Sequence, residues 1–438
     1  MNEQGETERL LFDDLIPLQF RILFLIQLGA LLWYVTIHFC SKYYKINVLH
    51  LLGLSYSPNN LHLDREYPNT GEHHSVVPAE LKENQTLLAG VWNNFIRISV
   101  VNIISFIISK IIESCIDLHK RENSITVRLL FNMIPFCALL FNLHELFFKS
   151  RHAIGLNRAY TTVKRIMMGK INHAYLRTND ILISDTLTSY SKVLNDLLLC
   201  IWNVFYGFNS PYDIRFEALI LCIPTLIRMK QCWIEYSRTK YLQHCLNLLK
   251  YTTALGPIII NMLLKQKLAT FKHDNPEKVD QDYILNALSK LNTWWYVCSV
   301  INSSYSFIWD VKMDWGFQAF DIFEKHTTTF TLLRPGHQLV YRNNWIYYPI
   351  ILIDFLLRYI WILKLFIVRE FEHTTPTYLS SISTFLFGYD AFSFGYALIE
   401  LLEILRRWLW CILKLEADFI KLQRAHSIED ISLVQLNR

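Results

Sequence analysis

Long apolar runs recur along the chain near residues 20–40, 88–112, 126–148, 192–208, 214–236, 247–266, 288–308, 346–368 and 380–414. Most approach or exceed the roughly 20 residues that an α-helix needs to cross the hydrocarbon core of a bilayer. The pattern predicts about nine spans. The run at 380–414 is too long for one untilted crossing and is expected to project as a helix into the cytoplasm. A shorter apolar piece at 46–54 offers a tenth, partial span. Residues 56–87 are polar and hold Pro58, Asn59, Asn60, Pro68, Gly71 and Pro78, the composition of a loop. Segment 149–177 alternates basic and apolar residues at helical spacing, including Ile154, Leu156, Val163, Ile166 and Met167. It reads as an amphipathic helix on an anionic leaflet, with a solvated basic loop as the alternative. No stretch suits a large soluble domain, and no internal repeat is visible.

Composition agrees. The 438 residues are 52% hydrophobic, 14% aromatic and 18% charged, against roughly 25% charged in soluble domains. The expected class is an all-α polytopic membrane protein with about 9–10 transmembrane helices and no soluble domain. A net charge of +5 is too small to argue for nucleic acid, but loop charges set orientation. Residues 149–177 carry Lys149, Arg151, Arg158, Lys164, Arg165, Lys170 and Arg177 and no acid, which makes this segment cytoplasmic. Lys414, Lys421 and Arg424 place the C-terminal flank on the same side. Three preceding spans put the N-terminus in the lumen; if 46–54 returns the chain, both termini are cytoplasmic. The sequon Asn84-Gln85-Thr86 is then unglycosylated.

Glu3, Glu6, Glu8, Asp13 and Asp14 are unlike the basic start of a cleavable signal. The nine cysteines lie mostly in apolar runs and read as small apolar residues. They form no CxxC pair or zinc spacing. His73-His74 and His144-Glu145 lack partners at metal spacing, and no Walker loop, GxSxG or Rossmann fingerprint occurs. The chain is expected to be neither an enzyme nor a binder of metal or cofactor.

Candidate chemistry lies in ionisable residues within or beside the spans. Asp185 and Asp196 bracket the start of the fourth run, Arg228 lies inside the fifth, and Lys250 begins the sixth. Trp309-Asp310-Val311-Lys312-Met313-Asp314-Trp315-Gly316 follows the seventh run without a turn residue, and on a continuing helix Asp310 and Asp314 share one face. Arg358 sits deep in the eighth run. Its burial in lipid costs at least about 2.5–3.5 kcal/mol unless it faces protein or water. Glu400, Glu403, Arg406 and Arg407 fall in the last run; Glu403 and Arg407 form an i,i+4 pair that leaves Arg406 available. Several guanidinium groups held by carboxylates suit an oxyanion, because arginine presents a planar fork and stays charged. Plainer readings stay open. Arg406 and Arg407 can snorkel to headgroups, Asp310 and Asp314 can be a solvated helix end, and Lys250 can be an interfacial anchor. Asp354, one turn before Arg358, can be its structural partner.

At these residues the chain resembles the EXS family, the membrane domain of eukaryotic phosphate exporters. Ser184-Asp185-Thr186-Leu187-Thr188-Ser189 is similar to its Ala-Asp-Gln-Leu-Thr-Ser motif. Pro224, Arg228, Gln231-Cys232 and Tyr236 follow a second family segment, and Asn247-Leu248-Leu249-Lys250-Tyr251 a third. Residues 309–316 match Trp-Asp-Ile-Lys-Met-Asp-Trp-Gly almost letter for letter. Leu333-Arg334-Pro335, Arg358 with Trp361, and Glu403, Arg406-Arg407, Trp410, Lys414 and Glu416 complete the set. The family's Arg-Arg-Tyr after Gln-Cys is here Trp233-Ile234-Glu235-Tyr236. The inositol-polyphosphate-sensing SPX domain is expected to be absent.

The resemblance covers about residues 126–420. It divides the chain into 1–125, an N-terminal segment with the first helices; 126–420, the transport domain; and 421–438, a cytoplasmic tail. An EXS chain without SPX is similar to the Golgi members of the family. That likeness implies return of inorganic phosphate from the Golgi lumen to the cytosol, in support of glycosylation and of retention of luminal ER proteins. It further implies that Arg228, Lys250, Arg358, Arg406 and Arg407 contact the anion while Asp185, Asp310, Asp314, Trp361 and Glu403 position them or gate the path. The alternative is a membrane adaptor that recruits sorting machinery through the basic helix and the tail 425–438. Expected partners are phosphate and the bilayer, with a cytosolic sorting adaptor and a second copy of the chain as further candidates.

Overall fold

A computed structural model describes residues 12–44, 46, 48–52, 77–115, 125–147, 154–171, 177–207, 212–274, 281–319, 332–341, 344–367, 378–387 and 391–436. All regular structure among them is helical. In chain order the helices are α1 (Leu18–Tyr44), α2 (Val48–Leu51), α3 (Val77–Cys115), α4 (Ile125–Phe147), α5 (Ile154–Met167), α6 (Arg177–Ser189) and α7 (Ser191–Tyr206). They continue as α8 (Ile214–Thr239), α9 (Leu242–Asp274), α10 (Gln281–Trp309), α11 (Tyr347–Arg358), α12 (Lys364–Ile367), α13 (Tyr378–Phe387) and α14 (Phe394–Leu436).

The chain is a membrane protein turned polar-side in. Trp92, Ile96, Val100, Ile103, Ile104, Ile107 and Ile111 of α3 are exposed, a face for lipid to cover, while arginines and carboxylates are buried in the middle. Leu18–Tyr44 and Leu88–Cys115 are long and apolar enough to cross a membrane by composition alone. The other long helices carry charges, and those charges build the site.

Side-chain contacts give the direction of each helix. Tyr34 meets Trp92 and Gln27 bonds Ser99, so α3 returns along α1. Asn142 bonds Asn102, so α4 runs back along α3. This ladder pairs the side-chain amides of Gln27 and Asn102 and the Asn142 amide nitrogen, groups that hydrocarbon cannot satisfy. Thereafter α6–α7, α8, α9, α10, α11–α12 and α14 alternate in direction. One end of the bundle holds α5, Thr239, Asp314 and Lys414; the other holds Leu18, Tyr206 and Phe394.

Several expectations are refined. The piece at 46–54 is not a span: α2 has four residues, about 6 Å of helix, and Leu51 and Leu52 pack in the core instead. The stretch 77–87 is the start of α3, not loop; residues 53–76 lie outside the described residues. The sequon's backbone is therefore helical. The fourth run is longer than its hydropathy: it begins at Arg177, breaks at Tyr190 (φ −89°, ψ 7°), and places Asp185 inside α6. The last run is two helices. Ser393 caps α14 by accepting from the Tyr396 amide at 3.2 Å, and α13 stops against it. Gly395 lets the two meet: a Cβ there would lie 1.9 Å from the Phe385 carbonyl oxygen. The amphipathic helix is present as α5, tied to α6 by Arg165 and Asp180 at 2.5 Å.

Candidate functional site

Residues 310–314 form a π-helical turn at the end of α10, closed by Trp315 N–H to the Asp310 carbonyl at 2.9 Å. π turns are rare and widen the helix locally. Asp310 and Asp314 do share a face, and the Lys250 ammonium of α9 stands 3.9 Å and 4.0 Å from them. Both are buried, so they are not a solvated helix end, and buried Lys250 is not an interfacial anchor. Its charge lies 4.8 Å above the Tyr251 ring and 5.6 Å above Trp309.

From Asp310 an alternating series of charges crosses the bundle. Asp310 pairs with Arg358 of α11, and Arg358 Nε donates to Asp354 at 2.9 Å. Arg406 Nη1 of α14 donates to the other Asp354 oxygen at 2.8 Å. Arg406 also forms a two-pronged pair with Glu403, at 2.6 Å and 2.9 Å. The order within α14 thus differs from the expected i,i+4 pairing. Glu403 takes Arg406, whose fork reaches back three residues, and Arg406 is buried rather than available. Arg407 turns to α6, where its Nε donates to Ser189 Oγ at 3.0 Å and its guanidinium lies 4.8 Å from the Trp410 ring. Neither arginine snorkels.

Arg228 belongs to a second cluster beside the first. Its Nε lies 2.7 Å from Asp185 and 3.0 Å from the Tyr251 hydroxyl, and its Nη1 reaches Ser184 and Gln231 at 3.2 Å and 2.7 Å. The Tyr251 hydroxyl donates to Asp185 at 2.6 Å. Its Nε and Nη1 both face acceptors, as the depth of the cation requires.

α11 breaks where Arg358 ends it, since Tyr359 takes φ −102°, ψ 7° and a 3-10 turn Ile360–Leu363 follows. The Arg358 carbonyl accepts from Ser303 Oγ at 2.8 Å, and Trp361 Nε1 donates to Ser303 at 3.0 Å. A broken helix is tolerated at membrane depth when neighbours satisfy its carbonyls in this way. Trp361 packs with Trp295, Tyr296 and Tyr359.

Two polar cavities meet at this assembly. One, of about 510 Å³, opens toward the α5 end and is lined by Arg177, Asp185, Arg228, Lys250, Asp314 and Lys414 among others. The second, of about 350 Å³, lies toward the opposite end and is lined by Thr188, Asn302, Arg358, Glu403, Arg406 and Arg407 among others. Lys250 and Tyr251 line both. A third, apolar cavity between α1, α4 and α7 touches none of these charges.

All ten predicted site residues therefore gather around the two cavities, Trp361 behind Ser303 and the others in direct contact with the charge series or the cavity walls. Sequence reading left Tyr251, Asp354, Lys414 and Glu235 out of the site. Asp354 joins two arginines rather than serving Arg358 alone. Lys414 reaches Asp314 at 3.4 Å and Asp418 at 3.3 Å. Glu235 recruits Arg177 and lies 3.3 Å from His244. The i,i+4 spacing of Asp354 and Arg358 was a usable signal, whereas nothing local marks Tyr251 as the shared wall.

A polytopic helical protein with arginines and carboxylates buried between two polar chambers belongs with membrane proteins rather than with soluble bundles. The chain matches the EXS family over residues 16–420 and belongs to that family. It is 28% identical to Protein ERD1 of Kluyveromyces lactis over 59% of this chain and 63% of that protein. It is 25% identical to Protein ERD1 homolog 1 of Schizosaccharomyces pombe over 81% of this chain and 84% of the relative. It is also 27% identical to Solute carrier family 53 member 1 of Mus musculus over 59% of this chain, but only 35% of that protein. The matched part is thus about a third of the mouse protein and under two thirds of the Kluyveromyces one.

Proposed function

We propose that the chain moves inorganic phosphate across the Golgi membrane, returning to the cytosol the phosphate that glycosylation releases in the lumen, and so supports Golgi glycosylation and retention of luminal ER proteins. The observation that carries this reading is the pair of polar cavities meeting at Lys250 and Tyr251 with arginines on both sides. Arg228, Lys250, Arg358, Arg406 and Arg407 face five carboxylates, Asp185, Asp310, Asp314, Asp354 and Glu403. The cations and carboxylates balance, so an arriving anion has to displace a carboxylate and can leave again.

Phosphate in the Arg358 cavity competes with Asp354, Asp310 and Glu403 for guanidinium donors. Arg358 and Arg406 each leave a carboxylate as they take the anion and return when it departs, so no charge is stranded. Asp310 and Asp314 do not bind phosphate themselves, since like charges repel; they hold Lys250 and Arg358. Trp361, fixed through Ser303 to the backbone beside Arg358, sets the width of the path. The α5 end is cytoplasmic, because basic α5, Lys414 and Lys421 gather there. The role is transport, not catalysis.

Phosphate flux into vesicles carrying the purified chain, compared with Arg358→Ala, tests the reading. The expected result is near-complete loss of flux in a variant that still elutes as a folded protein. Unchanged flux removes Arg358 from the path.

A second reading, recruitment of a cytosolic sorting adaptor, is favoured by α14, which continues as helix to Leu436, well past the cavity. Deletion of 425–438 separates the two: lost enzyme retention with intact flux supports recruitment.

A further inference from the structure

Away from the charge series, three buried ionisable groups meet at the end of the bundle opposite α5. Arg21 of α1 reaches Asp196 of α7 with Nη2 at 2.6 Å, and Glu400 of α14 lies 3.3 Å from its Nε. All three are at least nine-tenths buried. Arg21 spends its other terminal nitrogen on the Ala391 carbonyl at 2.6 Å. Asp196 is well served, since Tyr396 also approaches its second oxygen at 3.3 Å. Glu400 is not. Neither of its oxygens receives a hydrogen bond, and the Arg21 Nε beside it is likewise unsatisfied. Three orphan polar atoms thus face one another in a single buried spot. A buried carboxylate without a donor is costly, and a site of this kind indicates a missing ligand.

The chemistry of that ligand follows from the neighbours. The Glu400 and Asp196 carboxyls are within hydrogen-bonding reach of each other, a contact that repels when both are ionised and attracts when one holds a proton. The other groups facing Glu400 are Arg21, Lys192 on α7, whose ammonium lies 5.2 Å over the Tyr396 ring, and Tyr396 on α14 itself; Glu403 acts on Lys192. One guanidinium serves two carboxylates here, and Lys192 is held by an aromatic face.

We propose that Glu400 is a proton-binding site that takes a proton from the compartment at this end of the bundle and, by doing so, sets the rate of anion passage. The step is simple protonation: hydronium gives its proton to one Glu400 oxygen, water leaves, and the carboxyl donates to Asp196. Glu400 lies one turn before Glu403 on α14, and Glu403 holds Arg406. Discharging Glu400 strengthens the hold of Arg21 on Asp196 alone and frees α14 to shift relative to α1. The link to flux rests on the transport reading, whereas the proton site itself does not.

Infrared spectra of the purified full chain in acidic and alkaline buffer, and phosphate flux in vesicles over the same range, test the proposal. The wild type is expected to show a protonated-carboxyl band that Glu400→Gln loses and Glu400→Asp retains. Flux is expected to change several-fold with pH in the wild type and to be flat in Glu400→Gln. A band that persists in Glu400→Gln overturns the proton site. A variant pH profile that follows the wild type overturns its control of transport. If the wild type carries no phosphate, the transport reading fails and the infrared band alone decides the proton site. If Glu400→Gln does not fold, Asp196→Asn must shift the band, and an unmoved band overturns the proposal.

Discussion

Asp354 and Arg406 are joined at 2.8 Å across 52 residues of sequence, and that contact fastens α11 to α14 through the centre of the bundle. The same carboxylate holds Arg358 at 2.9 Å, so one acid keeps two buried cations in place.

Asp354→Ala strands both guanidinium groups. Breaking a buried pair from one side costs about 3–5 kcal/mol. A large fall in thermal stability in detergent is expected, with a smaller fall for Asp354→Asn, which keeps an acceptor oxygen. Equal melting temperatures for all three proteins would contradict the description of Asp354 as the central bridge.

Arg407 behaves differently, because its neighbours are a hydroxyl and an indole ring rather than a carboxylate partner. Arg407→Ala should leave stability nearly unchanged. The loss of hydrogen bonding from a charged group, about 1.5–3 kcal/mol, should raise the phosphate concentration for half-maximal flux roughly 10- to 100-fold. Concentration-dependent uptake measures both terms; a lower maximal rate at constant half-saturation would point to a conformational role instead.

Tyr251 walls off one cavity from the other and locks Arg228 to Asp185. Tyr251→Ala is expected to merge the cavities and weaken discrimination, so that sulfate passes alongside phosphate. Tyr251→Phe keeps the ring and should preserve selectivity while loosening Arg228. Competition uptake with the two anions distinguishes the cases, and selectivity retained in Tyr251→Ala would count against a partition at this ring.

Gly395→Ala tests the packing of α13 on α14. The added carbon has no room beside the Phe385 carbonyl, and the backbone there is not a flexible side chain that can turn away. Destabilisation of about 1–3 kcal/mol is expected from overpacking, read as a lower melting temperature. A neutral variant would mean that the α13–α14 hairpin opens easily.

Much of the architecture was legible along the chain. Apolar runs located the long helices, because a helix facing lipid must be apolar over a bilayer's thickness, but not all their ends: α3 starts at Val77, α9 runs on to Asp274 and α14 to Leu436. The exceptions have physical causes. α6 was missed as helix because its buried face is Asp180, Ser184 and Asp185, polar residues whose partners lie on α5 and α8. The run at 380–414 hid a break because the cap that starts α14 is a hydrogen bond to Ser393, which hydropathy does not register. Ile46, Val48, Leu51 and Leu52 of the short apolar piece fill the core.

The same division holds for the site. The residue types, their burial inside apolar runs and the match of residues 309–316 to a family motif were properties of the sequence by itself, and they determined the class, the family and the ten candidates. Pairing was not among those properties. Glu403 lies within reach of both Arg406 and Arg407 on one helix, and only the approach of α6 and α11 assigns Arg407 to Ser189 and Arg406 to Asp354. Arg358 meets Asp310, and Tyr251 becomes a wall between two cavities, through contacts among helices far apart in the chain. Charge attraction at these separations depends on distance and on the exclusion of water, and both are set by packing.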